Sequence, residues 1–192
     1  MADLQKTLAA IDALHAQDPK KETVDGVEKA AELIYAENMS AWLTRLNPAA
    51  SEELQIAVRS QHLCRWEIAR SEYPMDRPGY LKWRIELGKL HARKAVEVMA
   101  ENGYSEESRA TVEKIIRKQN LKGNSDAQTM EDCACLVFIE TAFLPFAAKH
   151  EEAKVIDIVQ KTWGKMSEQA HQAALQLNLP EEALDIVKKA LS

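Results

Sequence analysis

Nowhere does the chain hold a run of about 18 apolar residues, so it offers no helix able to cross a bilayer. The opening stretch "MADLQKTLAAIDALHAQD" has neither the basic start nor the unbroken apolar run of a secretory leader. Cysteine is scarce: Cys64, Cys133 and Cys135 are too few and too unevenly placed for a disulfide scaffold. Cys133 and Cys135 stand two apart, facing different sides of a helix, which is not zinc-knuckle spacing. These absences set the expectation of a cytoplasmic protein with reduced, mostly buried thiols and no membrane partner. There is no Gly-rich phosphate loop and no nucleophile elbow around a serine. Strand alternation is missing, and so is any internal repeat with a period of about 20 to 50 residues. With only 6 Gly and 6 Pro in 192 residues, little interrupts helix formation.

What is present is helical periodicity in an ordinary globular composition, 46% hydrophobic and 29% charged. The length fits one domain, 1–192. Leu4, Leu8, Ile11 and Leu14 form the stripe of a first amphipathic helix, stopped by a linker containing Pro19. A second helix is predicted over about 27–46, ending before Pro48. Ser51 caps a third reaching to about residue 69, and "RSEYPMDRPGY" supplies an irregular connection. A fourth helix over about 80–101 stops at Asn102-Gly103. Ser105 opens a fifth lasting to about residue 119, with Glu106 and Glu107 in its dipole-favoured first turn. After "NLKGNSD", Asp126 opens a sixth whose 132–146 portion, "CACLVFIETAFLPFAA" in the main, is apolar nearly all round and is expected to be buried and central. Helices over about 151–177 and 180–191 complete an all-α bundle of about eight helices.

Several polar residues fall on inward faces. On the third predicted helix, Leu54, Val58, His62, Arg65, Trp66 and Ala69 share a face by spacing. On the fourth, Arg84, Leu87, Gly88, His91, Ala95 and Val98 do the same, and Gly88 would let another backbone or a ligand come close. On the sixth, Asp132 precedes Cys135 and Leu136 by a turn, so a carboxylate enters an apolar helix. A lone inward histidine is most often a hydrogen-bonded core residue. Three such groups on three helices point instead to a site, because bundle interiors are where facing helices assemble ligand and metal pockets. His15, His150 and His171 lie near helix ends or on polar faces and are expected to face solvent.

Charge is unevenly spread. Between Arg59 and Lys94 stand nine Lys/Arg against four Asp/Glu, a local net of about +5 in a chain of −5, so the remainder carries about −10. A basic segment in an acidic protein suits a small anion held by arginine forks. It does not suit a nucleic acid duplex, for which the net charge has the wrong sign and the basic stripe is too short. The connection carrying Trp66, Tyr73, Tyr80 and Trp83 is too aromatic for disorder and could form the lip of a pocket.

The passages "LQIAVRSQHLCRW", "LHARKAVEVMAENGYSEESRATVEKIIRKQN" and "QTMEDCACLVFIE" resemble successive helices of HD-superfamily domains. The resemblance implies an HD-like core over about 27–148 with the helices of 151–191 packing on it, and it puts His62, His91 and Asp132 on metal-site positions. The pattern departs where the His-Asp doublet reads His62-Leu63, where Glu37 or Asn38 stands near the first-helix histidine, and where Lys118-Gln119 replaces a second-metal histidine. Through "QHLCRWEIARSEYPMDRPGYLKWR", "EDCACLVFIE" and "KTWGKMS" nearly the whole chain also resembles the domain of unknown function 4202 family, which brings no activity with it.

Together these imply a divalent-metal-dependent (phospho)hydrolase acting on a small anionic or phosphorylated metabolite. Iron, manganese or zinc would be held by His62, His91, Asp132 and Glu37. Glu67 or Glu131 would serve as proton acceptor, and Arg65, Arg70, Arg84, Lys118 and Trp66 would bind the ligand. The alternative is a metal-free ligand- or nucleotide-binding regulatory protein with the same pocket. Either form would be a monomer or a homodimer.

Overall fold

Periodic apolar residues and side-chain caps set most of the architecture, which the computed structural model describes for residues 2–120 and 123–191. Among the described residues there are ten α-helices, one two-stranded hairpin, two single 3-10 turns and a π-helical turn. They gather into two compact units, Met1–Met130 and Glu131–Ser192. The boundary falls inside the 27–148 stretch that the HD resemblance groups as one core.

In the first unit, α1 (Leu4–His15) is capped by Asp3, whose carboxylate accepts from the Lys6 amide. It is followed by β1 (Lys21–Val24) and β2 (Val27–Ala30), antiparallel about an Asp25-Gly26 turn in which both residues have positive φ, 51° and 79°. That Asp-Gly pair is the turn signal of such a hairpin. No alternation betrays these strands because seven of their eight residues are exposed or half-buried, so neither face needs apolar residues. The second helix therefore starts later than its periodicity suggests, as α2 (Ala31–Leu46).

Ser51 caps α3 as expected, but α3 (Glu52–Arg59) ends ten residues before the predicted boundary. The chain then passes through 3-10 turns at Arg65–Glu67 and Arg70–Glu72. The next helix, α4 (Arg77–Glu101), is capped by Asp76 and begins early enough to take Tyr80 and Trp83 out of the loop. Trp83 is buried and its Nε1 donates to the Ile68 carbonyl at 3.0 Å, pinning the connection to the helix. Helix α5 (Glu106–Ile116) is capped by Ser105, and the Tyr104 hydroxyl and Ser108 Oγ bind Glu52 and Glu53 at 2.7 and 2.8 Å, tying its start to the start of α3.

Helix α4 packs with α1 and α5, and α3 with α1, α2 and α5, around Ile11, Met39, Leu54, Ile56, Leu63, Met99 and Ile115. Arg59 joins α1 to α3 through a two-pronged pair with Asp12 at 2.6 and 2.8 Å. His15 is not solvent-facing but fully buried, its Nε2 2.9 Å from the Arg59 carbonyl and its Nδ1 without a hydrogen-bond partner among the described residues.

The link "NLKGNSD" includes residues 121–122, which lie outside the described residues. Helix α6 (Ser125–Val137) is opened by Asn124, whose side-chain oxygen accepts from the amides of Asp126 and Ala127 at 3.1 Å each.

The apolar run expected as one buried helix breaks into α6, a π-helical turn over Phe138–Ala142 and a short α7 (Phe143–Ala147). Glu140, Thr141, Ala142 and Pro145 in it are exposed. The expected 151–177 helix divides at Gly164 into α8 (Glu152–Trp163) and α9 (Glu168–Leu175), the latter capped by Ser167. Helices α7, α8 and α10 (Glu181–Leu191) form a second core around Phe143, Val155, Val159, Ala183 and Ala190. All three cysteines are reduced and buried, and among the described residues no helix is long and apolar enough to cross a membrane.

Candidate functional site

His62 reaches the interior by a route that helical spacing does not provide. After α3 ends, His62 and Cys64 take positive φ, 96° and 57°, and swing the histidine back toward α2 and α4. Non-glycine residues held this way cost about 1 to 3 kcal/mol each and cluster at functional sites.

The ring lies in a ready-made slot. Tyr35 of α2 stacks on it at 4.2 Å and 13°, and the Glu32 Oε2 sits 3.1 Å from its Nδ1. Arg65 NH1 is 2.8 Å from its Nε2. A guanidinium only donates, so Nε2 is the acceptor and the proton sits on Nδ1, aimed at Glu32. Burial, reinforced by Arg65, Arg84 and Lys118, holds His62 well below the ordinary histidine range, and it is neutral.

Glu32 is itself set in place by Asp18, a buried carboxylate that accepts from the amides of Lys20 and Glu32 at 2.9 and 3.0 Å and so caps α2 from a distance. Burial raises the Glu32 pKa, and the Arg65 guanidinium opposes that shift.

His91, on α4, has its ring 6.0 Å from that of His62. Its Nδ1 donates to the Leu63 carbonyl at 2.7 Å, which leaves Nε2 as an unprotonated acceptor with no hydrogen bond among the described residues. Burial, then the neighbouring His62, push its pKa down to about 3, against the effect of the Leu63 bond.

Both histidines line a cleft of about 480 Å³ in the first unit. Its cations are Arg65, Arg84, Arg117 and Lys118, and no carboxylate belongs to the lining. Arg117 is paired with Glu113 at 2.7 Å, whereas among the described residues Arg84 bonds the Tyr80 hydroxyl at 3.1 Å and no carboxylate. Lys118 has φ 51° at the left-handed position that ends α5, where glycine is usual, and this presents Lys118 and Gln119 to the cleft. Gly88, in the middle of α4, also lines it. Among the described residues a methyl group built there would meet nothing within 4 Å beyond its own stretch of helix. Glycine in a helix interior costs about 1 kcal/mol relative to alanine, so it stands there without a packing reason.

The remaining sequence candidates are distributed elsewhere. Glu37 pairs with Lys29 of β2 at 2.6 Å, and Glu67 with Lys94 at 2.9 Å. Arg70 donates to the carbonyls of Tyr73 and Asp76 and lies 5.9 Å from the rings of Tyr80 and Trp83, so it braces the connection. Trp66 is half-buried in the first 3-10 turn. Asp132 and Glu131 belong to the second unit. The Asp132 carboxylate accepts from the Ser167 amide and hydroxyl at 2.8 and 2.6 Å, tying α6 to the cap of α9. Glu131 is buried 3.8 Å from Lys165.

In this arrangement the described residues hold no group of three or more His, Cys, Asp or Glu side chains able to share a metal ion. The lone pair of His62 that would meet a metal is occupied by Arg65, and Glu37 is occupied by Lys29. The donor set does not fit a resident divalent ion.

Sequence reasoning missed Glu32, Tyr35, Gln61, Arg117 and Gln119. For the first two a signal existed: Glu32, Tyr35, Met39 and Leu43 recur at helical steps in α2, so a carboxylate stood on an inward stripe just as His62 was supposed to.

The chain belongs to the family described as Domain of unknown function (DUF4202), which it matches over residues 5–187. No curated protein and no solved structure matches it.

Proposed function

We propose that this member of a family of unknown function uses the cleft of its first unit to bind a small phosphorylated or otherwise anionic metabolite. The observation that carries the reading is a lining with four cationic side chains and no carboxylate. Arg84 is the most telling of them, because among the described residues its guanidinium bonds a neutral phenol and no carboxylate, which leaves its charge for a ligand. The neutral His91 adds an acceptor at Nε2 for a hydroxyl or a protonated phosphate oxygen, and Arg65 is already oriented by His62. A ligand arriving as an anion replaces water around these cations with a fixed set of donors.

The catalytic form of this reading, a divalent-metal-dependent (phospho)hydrolase, comes second. The closeness of the His62 and His91 rings favours it. It requires Arg65 to leave His62 Nε2 and a third ligand to arrive.

Calorimetric titration with inorganic phosphate and pyrophosphate tests the first reading. Binding should weaken about tenfold in Arg84→Gln, the loss of one charge-assisted contact. Stability should change by less than about 0.5 kcal/mol, as expected for an exposed residue whose hydrogen bond goes to an exposed phenol one turn away. No binding by the wild type, or an unchanged affinity in Arg84→Gln, would overturn it. Stoichiometric Fe, Mn or Zn in protein purified without chelator, lost in His62→Ala and His91→Ala, would put the metal-dependent reading ahead.

A further inference from the structure

Along one stripe of α4 the cleft changes character. At its inner end stands His91, buried, with the free Nε2 acceptor. One turn outward is Gly88, then Arg84 and Ile85, then Leu81. Leu81 and Ile85 are 51% and 59% exposed, apolar side chains left in water at the mouth of a cationic cleft. Between the acceptor and these apolar walls the helix shows its bare backbone, because Gly88 carries no side chain and nothing among the described residues comes within 4 Å of the space a side chain would take. The sequence left two explanations for this glycine, a neighbouring backbone or a ligand, and the open space above it removes the first.

We infer that Gly88 is a specificity-determining position: the cleft takes an organic phosphate whose body is a planar ring, with the ring seated on the α4 backbone at Gly88 between Leu81, Ile85 and Ile116 and the phosphate at Arg65, Arg84 and Lys118. The inference rests on the anion-binding reading above and adds the shape of what the anion is attached to. A flat body suits the place for three reasons. It can approach a helix backbone at van der Waals distance only where no Cβ stands. Its faces cover Leu81 and Ile85, which are otherwise exposed. Its edge can meet the side-chain amides of Gln61 and Gln119, the neutral donors and acceptors of the lining.

The test compares three probes on the full chain by calorimetry: inorganic phosphate, glycerol phosphate and phenyl phosphate. The wild type should bind phenyl phosphate about tenfold or more tighter than the other two, the gain expected from burying one ring face. Gly88→Leu should abolish that advantage and leave inorganic phosphate within about twofold, since the cations are untouched. Gly88→Ala, which suits a helix interior and should melt no lower than the wild type, should give a smaller loss in the same direction and carries the test if Gly88→Leu fails to fold.

Phenyl phosphate bound no tighter than inorganic phosphate by the wild type, or an undiminished preference for it in both variants, would overturn the inference while leaving the anion site standing. Failure of the wild type to bind inorganic phosphate or phenyl phosphate would overturn the anion site and the inference with it.

Discussion

Arg65 donates to Nε2 of His62 across 2.8 Å, and this one bond settles the histidine's protonation, its tautomer and what it can do. With the acceptor nitrogen occupied, the other nitrogen carries the proton and points at Glu32, so three residues form a chain Arg65, His62, Glu32 in which each is oriented by the next. His62 thereby becomes the part that aims Arg65 into the cleft, and His91 is left as the imidazole with a lone pair for a ligand.

Glu32 should matter to stability more than its place on the second helix suggests. Glu32→Ala removes the acceptor of a half-buried imidazole N–H and should cost about 1 to 3 kcal/mol, while Glu32→Gln keeps an oxygen there and should cost less. Urea denaturation with an unchanged slope measures both. A loss below about 0.5 kcal/mol in Glu32→Ala would mean that the chain of bonds is incidental.

Acid should unfold the first unit through its histidines. His15, His62 and His91 are all lowered in the folded state by burial, His91 to about 3. The unfolded chain takes up protons near the ordinary histidine value of about 6.5 and the folded chain does not, so stability is full above that pH and falls as pH drops from there toward 3. Glu32, raised by burial, works the other way and blunts the part of the fall that lies above its ordinary value of 4.5. His91→Gln should flatten the slope of unfolding free energy between about pH 6.5 and 4.5. An unaltered slope would show that His91 is charged in the folded protein.

Asp132 should behave as a structural carboxylate of the second unit. It accepts two bonds from Ser167 at the start of α9 and is 4% exposed, so Asp132→Ala should lower stability by about 1 to 3 kcal/mol. Phosphate affinity should not change, because the residue is not in the lining of the cleft. Loss of bound metal or of anion binding in a folded Asp132→Ala protein would instead support its role as a ligand, which the HD resemblance implies.

Much of the fold was legible because helices are local. Ser51 and Ser105 cap α3 and α5, Asn102-Gly103 ends α4, and the apolar stripes mark most helices, since these depend on residues three and four apart. The exposed hairpin was not, because a strand with both faces in water needs no alternation; nor was the end of α3, since "SQHLCRWEIAR" keeps helical periodicity past the point where the chain leaves the helix. Tertiary contacts decide there: Leu63 and Cys64 bury themselves, and His62 finds Tyr35 and Glu32, by abandoning the helix.

By itself the sequence determined that the chain is helical, that its thiols are reduced and buried, and that His91 lies on an inward face of its helix. Only the tertiary structure decided who meets whom. Glu32 and His62 are 30 residues apart and Asp132 and Ser167 are 35 apart, and nothing local specifies either pair. The physical reason is reach. Periodicity says which side of an element faces inward, through bonds that close within a turn, while the partner waiting there is chosen by how distant elements pack. That same packing left open the space above Gly88.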